Sequence, residues 1–85
     1  LAQASLGFMY QTGRGGLVKD SGEAIRLYRL SAAQGYALGQ NNLGAAYEFG
    51  IGTGSNLDEA IVWYKRAAAQ NNARAIGNLK RLGRL

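Results

Sequence analysis

Three residue types are missing from this 85-residue chain: cysteine, histidine and proline. Without cysteine and histidine the chain has no disulfide bond, none of the thiolate or imidazole ligands of a zinc site, and no histidine general acid or base. Acidic residues are also few, at five of 85. These absences argue against an enzyme. We therefore predict no catalytic residue, no cofactor, no metal ion and no small-molecule substrate.

The ten basic residues outnumber the acidic ones and give a net charge of +5, which is unevenly distributed. All five acids lie in residues 1–64, whereas residues 65–85 hold six basic residues and no acid. A basic surface is typical of nucleic-acid binding, but this segment has no aromatic side chain on which a base could stack. Two interpretations rank above nucleic acid: a solvated polar end of the fold, and an acidic protein or peptide partner.

Long apolar runs are also missing, since no stretch approaches the roughly 20 residues of a membrane span. The chain begins at Leu1, already inside a periodic pattern. We expect it to be a piece of a longer protein.

The chain contains an internal repeat. The segment Leu6 to Gly15 recurs 37 residues later as Leu43 to Gly52, with the leucine, the tyrosine and three glycines in the same spacing. The segment Asp20 to Tyr28 recurs 36 residues later as Asn56 to Tyr64. A third copy then begins. The predicted organisation is a single module with repeats at about 1–36 and 37–72 and a partial third at 73–85.

Each repeat has the apolar spacing of two helices. Asp20 with Glu23, and Asn56 with Glu59, fit a capping box at the start of the second helix. Glycine or asparagine is predicted to end the helices, at Gly13, Gly35, Gly50 and Asn71. Gly7 and Gly44 leave room for a neighbouring helix. The predicted helices are 1–12, 21–34, 37–49, 57–70 and 73–83. Because one such pair cannot bury its apolar face alone, the pairs are predicted to stack as an all-α, right-handed superhelical solenoid.

The motifs in Leu43 to Gly52 and Ala60 to Gln70 resemble the Sel-one-like (Sel1-like) repeat, a relative of the tetratricopeptide repeat. The resemblance covers the whole chain. It implies a protein-interaction scaffold, a kind of module often found in bacterial envelope-associated, signalling or assembly proteins. It does not imply an enzyme.

By analogy with tetratricopeptide architecture, the first helix of each pair lines a concave face that binds a partner. Phe8 and Phe49 have Ala45 and Thr12 at the equivalent repeat positions, so the core does not require an aromatic there. They are either anchors for a bound segment or fillers between repeats. The predicted partner-binding residues are Phe8, Asn41, Asn42, Ala45, Glu48, Phe49, Arg74, Asn78 and Arg81.

Several alternatives stay open. The asparagines either hydrogen-bond a bound peptide or hold neighbouring turns together, and Arg74 and Arg81 either hold a carboxylate or cap a helix. Apolar faces at open repeat ends also permit self-association. The glycine loops after Gly13 and Gly50 lack the lysine and hydroxyl residue of a phosphate-binding loop, which favours simple helix-ending turns.

Overall fold

The computed structural model describes residues 2–85. It contains five α-helices: α1 (Ala2–Thr12), α2 (Ser21–Ala33), α3 (Ala37–Phe49), α4 (Leu57–Ala68) and α5 (Ala73–Arg81). A short 3₁₀ turn, Arg14–Gly16, follows α1. The predicted all-α class and the five helices are confirmed, although α4 and α5 each end two residues earlier than predicted. Leu1, which the predicted first helix includes, lies outside the described residues.

The helices stack in chain order. Each one packs against the next, and α1 also touches α3. The result is elongated, with extents of 36 × 23 × 18 Å. Because α1 and α3 are neighbours, the first helices of successive repeats lie side by side. Among residues 2–85, no helix combines the length and the apolar character needed to cross a membrane.

The core consists of two clusters centred on α2 and α4. The first joins α2 to both neighbours, and its buried members are Ala4, Ala24, Ile25, Tyr28, Ala32, Leu43 and Ala46. The second joins α4 to α5 through Ala60, Ile61, Tyr64 and Leu79. The half-buried Tyr47 packs against both clusters and so connects them. Each second helix therefore carries the core that the adjacent first helices cover.

Gly7 and Gly44 are points of close approach between the two helices of each repeat. A Cβ atom on Gly7 would lie 2.8 Å from the Tyr28 ring, and one on Gly44 would lie 2.7 Å from the Tyr64 ring. Such distances are well inside van der Waals contact, so any side chain there would displace the tyrosine. The sequence-based prediction for these two glycines agrees with the structure.

The helix ends follow the prediction in their backbone conformation. The predicted helix-ending residues all have positive φ, in the order Gly13 (74°), Gly35 (86°), Gly50 (71°) and Asn71 (63°). Asn71 is the one non-glycine residue with positive φ among residues 2–85. Asparagine tolerates this left-handed region better than most residues, which is why it can replace Gly35 in the second repeat.

The capping boxes form only in part. Asp20 Oδ1 accepts from the Glu23 backbone N–H at 3.0 Å, and Asn56 Oδ1 accepts from that of Glu59 at 3.1 Å, as predicted. The reciprocal bonds were predicted wrongly. The backbone N–H groups of Asp20 and Asn56 donate instead to the carbonyl oxygens of Tyr10 and Tyr47, at 2.8 and 2.7 Å.

The two glutamates bind side chains instead. Glu23 pairs with Arg26, and Glu59 Oε1 accepts from Trp63 Nε1 at 3.2 Å. The backbone bonds to the Tyr10 and Tyr47 carbonyl oxygens each tie the start of a second helix to the first helix of the same repeat.

Candidate functional site

A groove of about 460 Å³ lies along the first helices of the repeats. Its lining comes from α1, α3 and α5 and from the 3₁₀ turn: Ala4, Ser5, Phe8, Arg14, Leu38, Asn42 and Arg74. No lining residue comes from α2 or α4. The volume falls within the roughly 300–1,000 Å³ of typical ligand sites.

One wall of the groove is aromatic. The Phe8 side chain is 37% exposed and belongs to neither core cluster. The guanidinium carbon of Arg14 lies 5.4 Å from the centre of its ring, which is within the range of a cation–π contact. Arg14 is placed there by the turn that follows α1, so the aromatic ring and the cation form one surface.

The other wall contains Asn42 of α3 and Arg74 of α5. Arg74 is the second residue of its helix and is exposed. Asn42 is half-buried, and its Oδ1 is 3.5 Å from Asn41 Nδ2, which is a long and weak hydrogen bond. The amide of Asn42 therefore keeps most of its capacity for a bond to another molecule.

The groove carries positive charge. Its lining includes two arginines and no carboxylate. Within residues 2–85 the ion pairs are Arg26–Glu23 and Arg81–Glu48, and neither involves a groove residue. An anion in the groove would thus meet two cations that have no acidic partner in the described part of the chain.

A second polar group, centred on Glu48, lies outside the groove. Tyr64 donates its hydroxyl hydrogen to Glu48 Oε1 at 2.8 Å, and Arg81 donates to both carboxylate oxygens at 2.8 and 2.6 Å. The hydrogen bond from Arg81, followed by that from Tyr64, lowers the pKa of the Glu48 carboxyl below its ordinary value. Burial, with help from the Glu48 carboxylate, raises the pKa of Tyr64. The arrangement ties α5 and α4 to α3.

Phe49 and Arg81 form an exposed patch beside this group. Phe49 is 63% exposed, and the guanidinium carbon of Arg81 lies 5.8 Å from its ring centre. The Arg81 guanidinium is shared between Phe49 and Glu48, so its charge is balanced within the chain.

Asn41 and Asn78 bond to each other. Asn78 Nδ2 donates to Asn41 Oδ1 at 3.0 Å, and Asn41 is only 5% exposed. Ala45 is half-buried and packs against the second core cluster. These three residues hold α3 to its neighbours.

Of the nine sequence-predicted residues, the groove brings together Phe8, Asn42 and Arg74. The other six lie elsewhere on the first helices: Asn41, Ala45, Glu48, Phe49, Asn78 and Arg81.

Sequence reasoning missed Arg14, Ser5 and Leu38. The repeat alignment carries a signal for Arg14, because the equivalent residue is Ile51, which packs against the first core cluster. A charged residue at a position that is apolar in the other copy indicates a different environment.

The model of the Sel1 repeat matches residues 1–36 and again residues 37–72. The chain belongs to the Sel1 repeat family. Sel1 repeats are α-solenoid modules that generally mediate protein interactions and are typically non-catalytic. The resemblance stated from the motifs is therefore confirmed.

Solved Sel1 repeat structures have the same fold. A Sel1 repeat protein from Oxalobacter formigenes superposes with a TM-score of 0.89 at 41% identity, over 95% of this chain and 32% of that one. The protective antigen c5321 of uropathogenic Escherichia coli superposes with a TM-score of 0.84 at 36% identity, over 96% of this chain and 18% of that one. Both of these neighbours are bacterial.

Curated relatives are much longer than the segment that matches this chain. The rat DAP3-binding cell death enhancer 1 is 36% identical over 63 residues, which are 74% of this chain and 12% of that protein. The chitin synthase regulator SKT5 of Saccharomyces cerevisiae is 37% identical over 62 residues, which are 73% of this chain and 9% of that protein. The chain thus spans about a tenth of the length of these relatives.

Proposed function

We propose that this Sel1 module binds an extended segment of a partner protein in the groove along α1, α3 and α5. The observation that carries the proposal is that the first helix of each repeat contributes side chains to one continuous groove. In that groove an exposed aromatic, Phe8, lies with hydrogen-bonding and charged groups around it. Aromatic anchors surrounded by polar contacts are the usual source of binding energy at protein interfaces.

The lining of the groove supports an extended segment as the occupant. Leu38 and Phe8 supply apolar surface, while Ser5 and Asn42 supply groups that can bond a peptide backbone. The helices that form the walls are held together by the two core clusters, the first of which includes the groove residue Ala4. The surface therefore exists before binding, which reduces the entropic cost of association.

The direct test is selection of binders from a random peptide library displayed on phage, with the 85-residue chain as bait. Synthetic copies of the selected peptides are then titrated by calorimetry. Phe8→Ala should weaken binding by about tenfold or more, the loss expected for an anchor residue. The matched control is Val62→Ala, because Val62 is 42% exposed on α4, which contributes nothing to the groove.

The helical circular dichroism of both variants should match that of the parent. Peptides that bind equally well to the parent and to Phe8→Ala but lose affinity for Val62→Ala would place the binding surface on α4 and contradict the proposal. Loss of helical signal in Phe8→Ala would show instead that this ring is a core residue.

One observation favours self-association as a second candidate. Leu6 is 40% exposed, although its repeat equivalents Leu43 and Leu79 are each 2% exposed in the two core clusters. This face of α1 can therefore pack against a second copy. Sedimentation velocity over a range of concentrations tests it. A mass that increases with concentration in the parent but not in Leu6→Gln supports this candidate, and a constant monomer mass excludes it.

A further inference from the structure

We propose that the groove selects an acidic segment, in which carboxylates on both sides of an apolar side chain are bound by Arg14 and Arg74. This inference rests on the proposed function and specifies the chemistry of the partner. It is carried by the charge of the groove, by the repeat positions of its cations and by the apolar surface that lines the same groove.

Both arginines stand where the neighbouring repeat has an apolar residue. Arg14 corresponds to Ile51, and Arg74 corresponds to Leu38; both apolar residues pack against the first core cluster. Arg14 and Arg74 are exposed and belong to neither cluster. The packing requirements of the repeat therefore do not account for a cation at either position.

No carboxylate in the described part of the fold balances these charges. Neither arginine takes part in the ion pairs found within residues 2–85. Arg74 lies in the first turn of α5, which contains no acidic residue. The helix dipole is positive at that end, so a cation there is unfavourable for the module alone. A bound carboxylate would relieve this repulsion and would also be attracted by the helix end.

The groove that the two cations line also offers surface suited to an apolar side chain. Phe8 and Leu38 line the same groove as Arg14 and Arg74. Arg14 lies over the Phe8 ring, which holds its guanidinium at the edge of the apolar surface. Guanidinium groups bind carboxylates through paired hydrogen bonds and are enriched at protein interfaces for this reason.

A nucleic acid fits the same surface less well. Proteins that bind single strands combine cations with several aromatic rings on which successive bases stack. Phe8 is the one aromatic residue among the groove lining, so successive bases would have a single ring on which to stack. A protein segment with acidic residues next to an apolar one can bind Arg14, Arg74 and the apolar surface of the groove together.

The experiment starts from peptides whose binding to the chain depends on Phe8. Their sequences should be enriched in aspartate or glutamate next to an apolar residue. Replacing their acids by the corresponding amides should lower affinity about tenfold, as expected for lost charge-assisted hydrogen bonds. Affinity should also fall between about 0.1 M and about 1 M salt, where the screening length shortens from about 10 Å to about 3 Å.

Charge reversal gives the decisive comparison. The double variant Arg14→Glu with Arg74→Glu should lose the acidic peptides and bind versions in which lysine replaces each acid. Lys65→Glu is the matched control, because Lys65 is an exposed cation on α4, away from the groove, and this change should leave both affinities unaltered. Circular dichroism of the double variant should match that of the parent.

Four results would overturn the inference. Phe8-dependent peptides without acidic enrichment would refute the acidic partner and leave the proposed function standing, whereas a complete lack of Phe8-dependent peptides would refute both. A correctly folded double variant that binds neither peptide series would show that Arg14 and Arg74 do not select peptides by their charge. Displacement of the peptides by oligothymidylate more strongly than by polyglutamate would make nucleic acid the better partner.

Discussion

Arg81 holds the carboxylate of Glu48 by two hydrogen bonds, at 2.8 and 2.6 Å, and thereby links α5 to α3 across the surface of the stack. The same carboxylate accepts the Tyr64 hydroxyl at 2.8 Å. In the first repeat the residue equivalent to Glu48 is Gln11, which accepts the hydroxyl of Tyr28 at 2.5 Å. Both repeats thus bond the core tyrosine to the first helix, but only the second adds a charge and an arginine.

The first prediction concerns acid stability. Because the pKa of Glu48 is lowered in the folded state, its contribution to stability is present above its ordinary value of 4.5 and is lost as the pH falls through the lower folded value. The free energy of unfolding should therefore decrease between about pH 5 and about pH 3, and decrease less in Glu48→Gln. Urea denaturation at several pH values measures this.

Glu23→Gln is the control for that experiment. The Arg26 hydrogen bond also lowers the pKa of Glu23, but that pair is exposed and lies within a single helix. Exposed pairs of this kind contribute little to stability. If Glu23→Gln flattens the acid dependence as much as Glu48→Gln does, the link between α3 and α5 is not the source of the effect.

The second prediction compares two leucines at the same repeat position. Leu43 is 2% exposed within the first core cluster, so Leu43→Ala should lower the free energy of unfolding by about 2 to 5 kcal/mol. Leu6 is 40% exposed, so Leu6→Ala should cost less than about 1 kcal/mol. Thermal or urea unfolding followed by circular dichroism measures both. Equal decreases in the free energy of unfolding for the two variants would contradict the difference in burial between the two leucines.

The third prediction concerns a buried hydroxyl. Ser31 is fully buried, and its Oγ has no hydrogen-bond partner among the described residues. The equivalent residue in the second repeat is Ala67, which is also fully buried. Ser31→Ala should therefore raise the free energy of unfolding by about 1 kcal/mol, because a desolvated and unbonded hydroxyl is removed. The reverse change, Ala67→Ser, should lower it by a similar amount. Destabilisation by Ser31→Ala in urea titrations would reveal a bond to this hydroxyl.

Sequence periodicity predicts the fold well because the apolar residues and the helix caps recur at the same spacing in each repeat. The matched leucines, tyrosines and glycines fix which faces are buried, and the left-handed residues Gly35 and Asn71 fix where second helices end. The reciprocal half of each capping box does not form, for a tertiary reason: the Tyr10 and Tyr47 carbonyls accept the backbone N–H groups that the glutamates were expected to bind. A local sequence pattern does not show which carbonyl oxygens of another helix compete for these N–H groups.

The groove was predicted less completely than the fold. An α-helix places each residue by its register, so Phe8, Asn42 and Arg74 could be assigned to one face in advance. Arg14 lies in a turn, where no helical register determines the direction of a side chain, so the sequence does not predict its place in the groove. Asn41 and Asn78 bond to each other instead of lining the groove, because a buried amide is stabilised by a partner within the fold.

The last prediction separates the two asparagines that occupy equivalent repeat positions. Asn78 bonds the buried Asn41, whereas Asn42 lines the groove. Asn78→Ala should lower the free energy of unfolding by about 1 to 3 kcal/mol, because the Asn41 oxygen loses its donor. Asn42→Ala should change it by less than about 0.5 kcal/mol, as expected for a site that makes only a weak internal bond.

Binding should show the opposite order. Asn42→Ala should weaken the Phe8-dependent peptides, and Asn78→Ala should leave their affinity unchanged at temperatures where it stays folded. Urea denaturation and calorimetric titration of the same two variants test both halves. If Asn78→Ala lowers peptide affinity more than Asn42→Ala while both remain folded, the binding surface extends toward Arg81 and Phe49 instead of ending at the groove.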